Sequence, residues 1–316
     1  MSSSINRRTW LAAVSAGAAT AGPRGAYATP LAADDKPTFT FCLNGATIRG
    51  QNLKIVAELE IAAKAGYDGY EPWVDRIDQY VKEGGSLKVL GKRARDSGVS
   101  IEDAIGFAQW IVDDADRRRK GLEDAKRIMG MLQELSCPRL AAPPAGANDA
   151  RVASIPMLTM AERYGALCKL GEVMGITPLA EHWGHSKNLS RLGEAVLVAL
   201  ESGHRNASVL PDVYHLYKGG SEFSGIKLLG SATAGIFHMN DYPAKPPRAE
   251  IRDEHRIYPG DGIAPLTDLL RDLRAIGFCG MLSLELFNRE YWKQDPLEVA
   301  KTGLAKMRSV ASASMT

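Results

Sequence analysis

This chain has almost no net charge to offer a partner. Its 316 residues hold 39 Lys and Arg against 37 Asp and Glu, a formal balance of +2. Neither a basic excess nor an acidic tail is present, so nucleic acid is not an expected partner. Cysteine is scarce too. Cys42, Cys137, Cys168 and Cys279 lie far apart with no CxxC spacing, which argues against a zinc knuckle and gives no disulfide framework. They read as small buried hydrophobes. No apolar run reaches the roughly 20 residues needed to cross a bilayer, so no membrane partner is expected. The first strand-like run leads into Asn44-Gly45-Ala46-Thr47-Ile48-Arg49-Gly50. It lacks the G-x-G-x-x-G turn that a doubly wound dinucleotide fold would place there. No linker and no second domain interrupt the pattern.

What is present is ordinary globular composition, 45% hydrophobic and 24% charged, enough for a sizeable core. The first 28 residues are of another kind. Ser4-Ile5-Asn6-Arg7-Arg8-Thr9-Trp10-Leu11 resembles a twin-arginine export signal, followed by a small-residue apolar stretch and Ala26-Tyr27-Ala28, an A-x-A cleavage site. Residues 1–28 are therefore expected to be a signal peptide and 29–37 a tether. The expected location is the periplasm or the exterior. Twin-arginine export moves folded proteins.

From residue 38 onward, strand-like and helix-like runs alternate. Strands are expected over Thr38–Leu43, Tyr70–Trp73, Val99–Ile105, Arg139–Ala142, Thr177–Glu181, Ala207–Asp212, Gly235–His238 and Gly280–Leu286. Helices are expected between and after them, at Leu53–Ala65, Leu87–Ser97, Asp116–Leu135, Pro156–Met174, Ser190–Ser202, Phe223–Leu229, Ala264–Ile276 and Leu297–Val310. Strict alternation implies a parallel sheet. Eight such units over residues 38–316 fit a single-domain (β/α)8 TIM barrel.

Four of these apolar runs end in a side chain that binds hard or borderline cations. They are Glu181 after Pro178-Leu179-Ala180, Asp212 after Val209-Leu210-Pro211, His238 after Gly235-Ile236-Phe237, and Glu285 after Leu282-Ser283-Leu284. A single strand-end acid most often caps the next helix. Four in series, on strands whose C-terminal ends converge, point to one site. Three carboxylates and an imidazole suit one divalent metal: Mn, Mg, Co or Zn.

These residues, with Gly66-Tyr67-Asp68-Gly69-Tyr70-Glu71, Glu181-His182, Asp212-Val213-Tyr214-His215, His238-Met239-Asn240-Asp241 and Tyr258-Pro259-Gly260-Asp261-Gly262, resemble the xylose-isomerase-like family of sugar isomerases and epimerases over roughly residues 38–310. The resemblance implies that Glu181, Asp212, His238 and Glu285 hold the ion, and that the two glutamates exchange the proton on a substrate carbon. His215 matches the family's substrate-contacting histidine, and Arg256 resembles a substrate-binding arginine. Glu71, His182 and His185 are further candidates for lining the sugar pocket. Trp73, Phe107, Trp110, Tyr291 and Trp292 near loop ends are aromatics on which a sugar ring can stack, though packing is their default role.

The expected function is a metal-dependent isomerase or epimerase of a small keto sugar or inosose, working by proton abstraction alpha to a carbonyl. The alternative uses the same first step but ends in elimination: a dehydratase or lyase acting on an inosose or a 3-keto-glycoside. An abasic-site endonuclease of the same fold fits poorly. Such enzymes use several zinc ions and early histidines, and this chain has none before His182. The expected partner is a small sugar or polyol. A homo-oligomer is compatible with this reading.

Overall fold

The computed structural model describes residues 39–230 and 235–315. The segments read above as signal peptide (1–28) and tether (29–37) lie outside the described residues. Those described belong to one compact unit.

Eight strands occur in the expected order: β1 Thr40–Asn44, β2 Gly69–Glu71, β3 Ser100–Ile101, β4 Arg139–Ala142, β5 Thr177–Glu181, β6 Ser208–Leu210, β7 Ile236–Met239 and β8 Met281–Leu284. Every pairing between them is parallel. The ladders form a five-stranded group, β3-β2-β1-β8-β7, and a three-stranded group, β4-β5-β6. Isolated bridges join the two. Ile105 pairs with Ala141 on one side, and Asp212 with His238 on the other. The result is a closed TIM barrel.

Strands buried on both faces read as continuous apolar runs, which is why they were legible. Inside the barrel, Cys42, Ile105, Ala141, Leu179, Leu210, Ile236 and Met281 form one packed cluster. Gly69 is needed there, because a Cβ on it would meet the Met281 sulfur at 2.3 Å. The outward positions pack against the helices. α1 (Ile55–Ala65) ends at Gly66 and α5 (Met157–Met174) at Gly175, both with positive φ. Each glycine turns the chain back into the next strand.

Several expected elements are redrawn. The third strand is short: regular pairing stops at Ile101 and resumes only at the Ile105 bridge. Two helices follow strand ends closely. α2 covers Val74–Lys82 and α7 covers Val213–Gly219. α2 buries Val74 and Ile77, a helical spacing hidden behind the strand-like Tyr70–Trp73. Between them lie α3 (Leu87–Asp96), α4 (Ala115–Leu135) and α6 (Leu192–Glu201), and the chain closes with α8 (Leu266–Ala275) and α9 (Pro296–Ala313). Phe223–Leu228 is a 3-10 helix. Among the described residues no helix is long and apolar enough to cross a membrane.

Candidate functional site

Asp212 starts the site. It stands just past β6 as the N-cap of α7, and its Oδ1 accepts the His215 N–H at 2.7 Å. The helix-capping role of a strand-end acid is therefore real here, but it occupies only one oxygen. Oδ2 turns the other way. It accepts from Asn240 Nδ2 at 3.1 Å and Arg256 Nη1 at 2.9 Å, and lies 3.6 Å from His238 Nδ1. Glu285, just past β8, reaches the same point. Its Oε2 accepts from Arg256 Nη1 at 2.8 Å and lies 3.3 Å from His238 Nδ1.

The structure thus brings Asp212, His238 and Glu285 together, with ligand atoms within 4.8 Å of one another. Glu181 stands at the edge of this cluster, against the cavity. Burial, with Glu285 and Asp212 adding repulsion against His238, pushes its carboxyl up to about 8. A third carboxylate beside two others is repelled until a cation balances all three. Of the four strand-end residues, two carry a buried atom with no well-aligned hydrogen bond: His238 at Nδ1 and Glu181 at Oε2. An orphaned imidazole nitrogen and an orphaned carboxylate oxygen, next to two more carboxylates, are the donor set a divalent cation takes. The four residues fit such an ion.

His238 is held from behind. Its Nε2 lies 3.0 Å from Glu71 Oε1, the arrangement that orients metal-binding histidines and fixes their tautomer. Glu71 accepts further bonds at Oε2 from Asn44 Nδ2 at 2.7 Å and from Ser283 Oγ. Although burial disfavours its charge, His238 and these donors hold the Glu71 carboxyl low. Burial also works against a charge on His238, yet Glu71 and Glu285 push its pKa up. This corrects the expectation for Glu71. It is fully buried beneath the cavity and does not line a sugar pocket.

The cavity above the cluster measures about 210 Å³. Its polar end carries Glu181, His185, His215, Asp253, Arg256 and Glu285, and Trp73, Phe107, Trp183 and Phe287 form its walls. Trp73 packs on Phe107 at 5.3 Å and on Phe287 at 5.8 Å, and Phe107 on Trp183 at 6.0 Å. His185 stacks on Trp183 at 5.6 Å. A larger groove of about 600 Å³ lies on the outer face, along α6 and the 3-10 turn after α7. No histidine and none of the strand-end residues line it.

Arg256 and His215 both face the cavity, but the protein already engages them. Every Arg256 N–H has a partner: Asp253 at Nε and Nη2, Asp212 and Glu285 at Nη1, and the His215 ring 3.2 Å from Nη2. The guanidinium lies over the Tyr214 ring at 4.5 Å. A buried cation needs such partners, since removing one from a buried pair costs about 3–5 kcal/mol. His215 Nδ1 faces the Gly184 N–H at 3.2 Å. Burial, and then Arg256, keep the ring neutral despite Asp212.

His182 is a second correction. It is fully buried, does not line the cavity, and neither ring nitrogen has a well-aligned partner. Burial lowers its pKa to about 4. Asn44, Asp103, Asn240, Asp253 and Ser283 are site or supporting residues to which the sequence alone assigns no site role. Asn44 ends β1 as Glu181 ends β5, so applying the strand-end rule to amides would have found it.

Comparison with known proteins places this geometry. The sequence profile of the xylose isomerase-like TIM barrel matches residues 59–310. An inosose isomerase of Bacillus licheniformis is 25% identical over 274 residues, covering 83% of this chain and 94% of the relative. A 3-dehydroshikimate dehydratase of Pseudomonas putida is 26% identical over 257 residues, 79% of this chain but 39% of that protein. Among solved structures, the IOLI protein with a bound zinc superposes with TM-score 0.80 at 23% identity, covering 87% of this chain and 98% of that one. A D-psicose 3-epimerase solved with D-fructose gives 0.71 at 19% identity, with 86% and 99% covered. Since the profile match spans most of the barrel, from the first helix to the last, the chain belongs to the xylose isomerase-like TIM barrel family.

Proposed function

We propose that this protein is a divalent-metal-dependent isomerase or epimerase of a small keto sugar or inosose, which moves a proton on the carbon alpha to a carbonyl. The observation that carries this reading is the orphaned pair, His238 Nδ1 and Glu181 Oε2, beside Asp212 and Glu285 at one end of the cavity. The relatives named as inosose isomerases support it. Glu181, Asp212, His238 and Glu285 would hold the ion, whose oxygen-rich donor set suits Mn, Mg, Co or Zn. When bound, the ion supplies positive charge that stabilises the negative charge developing on a carbonyl oxygen.

The remaining work falls to the chain's own groups. Glu181 ends β5 and Glu285 stands just past β8, three strands apart around the rim. A substrate carbon between them has a carboxyl on either face. One removes its proton and the other returns a proton, which inverts or relocates the centre. Glu181 Oε2 is the free acceptor atom. Glu285 is fixed by Arg256 and, at 3.4 Å, by Asn44 Nδ2. His215, His185 and Arg256 line the polar end and would orient hydroxyl groups. Trp73, Phe107, Trp183 and Phe287 would cover the C–H face of a sugar ring and exclude water.

The test is solvent exchange. Metal-loaded protein in D₂O should place deuterium on carbon in at least one of a panel of keto sugars and inososes. Lack of uptake across the panel, with metal bound, would overturn the reading. The similarity to a 3-dehydroshikimate dehydratase favours a second outcome of the same first step, elimination. Product mass separates the two: unchanged for an isomerase, lower by one water for a dehydratase.

We also infer that residues 1–28 are a twin-arginine export signal and that the enzyme works in the periplasm or outside. The Arg7-Arg8 pair and the Ala26-Tyr27-Ala28 site support this. Changing Arg7 and Arg8 together to Lys should leave the protein in the cytoplasm. Periplasmic recovery of that variant would remove the inference.

A further inference from the structure

Arg256 is the only Lys or Arg among the residues that line the cavity. A guanidinium at the polar end of a sugar site is the natural handle for a phosphate or a carboxylate. This one has no N–H left to give. Nε and one Nη2 N–H donate to Asp253 Oδ1 at 3.1 and 2.6 Å, and the other Nη2 N–H faces His215 Nε2 at 3.2 Å. The two at Nη1 donate to Asp212 at 2.9 Å and to Glu285 at 2.8 Å. Cations around the rim are engaged as well. Arg49 pairs with Asp75 and lies over the Trp73 ring at 4.4 Å. Lys218 Nζ donates to the Arg248 and Ala249 carbonyls at 3.1 and 2.9 Å. Neither of these, nor the exposed Arg252, lines the cavity.

Asp253 tips the balance of charge. It stands one turn before Arg256, lines the cavity, and keeps its side chain 37% exposed. Its Oδ1 accepts both Arg256 bonds, and its Oδ2 accepts none from the described residues. A carboxylate beside a guanidinium stays ionised. The carboxylates proposed to hold the ion, Glu181, Asp212 and Glu285, outweigh a divalent cation by one charge. Arg256 makes up that charge, and Asp253 takes it away again. An anion entering such a cavity meets net negative charge between apolar walls, where repulsion is poorly screened. A hydroxyl group meets an open acceptor. At about 210 Å³ the cavity is also smaller than the roughly 300–1,000 Å³ of pockets for larger ligands, which suits a single ring.

We propose that Asp253 is a specificity-determining residue: it cancels the Arg256 charge, so that the cavity takes an uncharged, single-ring polyhydroxy ketone and turns away one that carries a carboxylate or a phosphate. Its Oδ2 is the acceptor offered to a substrate hydroxyl. The same filter applies if the reaction ends in elimination, and the ring that loses water is then a neutral one.

The proposal rests on the sugar-enzyme reading above, but its test does not need turnover. The full chain loaded with Zn²⁺ is titrated by calorimetry with two cyclic ketones of the same ring size: scyllo-inosose, which is neutral, and 3-dehydroshikimate, which carries a carboxylate. The parent should bind the inosose at least about tenfold more tightly than the acid, since like charges facing each other are costly. Asp253→Asn keeps an oxygen for Arg256 but removes the charge. It should bind the acid at least about tenfold more tightly than the parent does, whereas Asp253→Glu, which keeps the charge, should not. A merely structural role for Asp253 would weaken both probes together. No gain for the acid in Asp253→Asn overturns the proposal. So does an equal gain in Asp253→Glu, or a parent that does not favour the inosose. If Asp253→Asn does not fold, the parent's preference decides alone. Failure of the enzyme reading looks different: no deuterium reaches carbon in any ketone, and the two affinities still judge the role of Asp253.

Discussion

Strands β5 to β8 lead into Glu181, Asp212, His238 and Glu285, while strands β1 to β4 lead into Asn44, Glu71, Asp103 and Ala142. The first set offers one imidazole and three carboxylates to a common point. The second offers an amide, two buried carboxyls and a methyl group, none of which belongs to the cluster at that point. Its contribution is indirect: Asn44 and Glu71 hold Glu285 and His238 from below. The same half also supplies Trp73 and Phe107 as apolar wall. One half of the barrel would bind the ion and the other would aim it. A closed barrel allows this division, because residues distant in sequence meet across its top.

The comparison breaks most plainly at the metal. His238→Ala and Asp212→Asn should each abolish stable binding of about one divalent ion per chain, read as metal content after dialysis. Asparagine still caps α7, so a folding defect would not explain the loss. Full occupancy in both variants would show that the ligands lie elsewhere.

Next come the glutamates. Glu181→Gln and Glu285→Gln should slow deuterium exchange by at least about 10²-fold, the low end for losing a general base. Glu71→Gln should instead weaken metal affinity by about 10- to 100-fold and leave exchange at saturating metal within a few-fold. The opposite result, a dead Glu71→Gln beside active Glu181 and Glu285 variants, would move the base to β2.

A third test sharpens the difference by asking what titrates in the supporting half. Glu58 on α1 is buried, receives the Tyr70 hydroxyl proton in a short hydrogen bond, and lies 3.6 Å from Arg76 Nε. Burial raises its pKa from 4.5 to about 7, against Tyr70 and Arg76. Between those values the folded protein keeps a proton that the unfolded chain has lost. Stability must therefore fall as pH rises through this window, by about 3 kcal/mol in all, and level off above it. Glu58→Gln should remove that fall, as seen by denaturant unfolding at pH 4.5 and pH 8. Equal pH slopes in parent and variant would show Glu58 ionised throughout.

The smallest effect belongs to the wall. Phe107 is 41% exposed at the cavity. Phe107→Ala should raise KM by about 3- to 10-fold, matching the 0.5–1.5 kcal/mol of an aromatic contact, with kcat little changed. A large loss of kcat would give the ring a part in the chemistry.

Much of this was legible because an apolar run that stops at an acid or histidine is a local signal. Glu181, Asp212, His238 and Glu285 each announce themselves within four residues. Glu71 carries the same signal and was misplaced. The reason lies in register. Asn44 is level with Glu71 in the β1–β2 ladder. The β1–β8 ladder, extended one residue past Leu43 and Leu284, sets Asn44 level with Glu285. In a sheared barrel such a row climbs in one direction and sinks in the other. His238 reaches the height of Glu285 from two residues further back in its ladder. Glu71, on the opposite side, lies lower. Shear is a property of the closed sheet, and no single strand records it. His182 was misjudged for a similar reason: it follows Glu181 by one residue, and the strand's alternation turns it to the other face.

The bridge between Asp212 and His238 does more than bring two side chains together. Where β6 meets β7, that bridge and the His238 N–H to Pro211 carbonyl bond, 2.9 Å, tie the three-stranded group to the five-stranded one. The clasp of the hoop is built from residues that would grip the ion. Whatever loosens that grip also loosens the hoop, and the reverse holds by the same equilibrium. The backbone amide of His238 should then exchange with solvent far more slowly in the loaded protein than in the stripped one, so its protection would report how tightly the ring is shut.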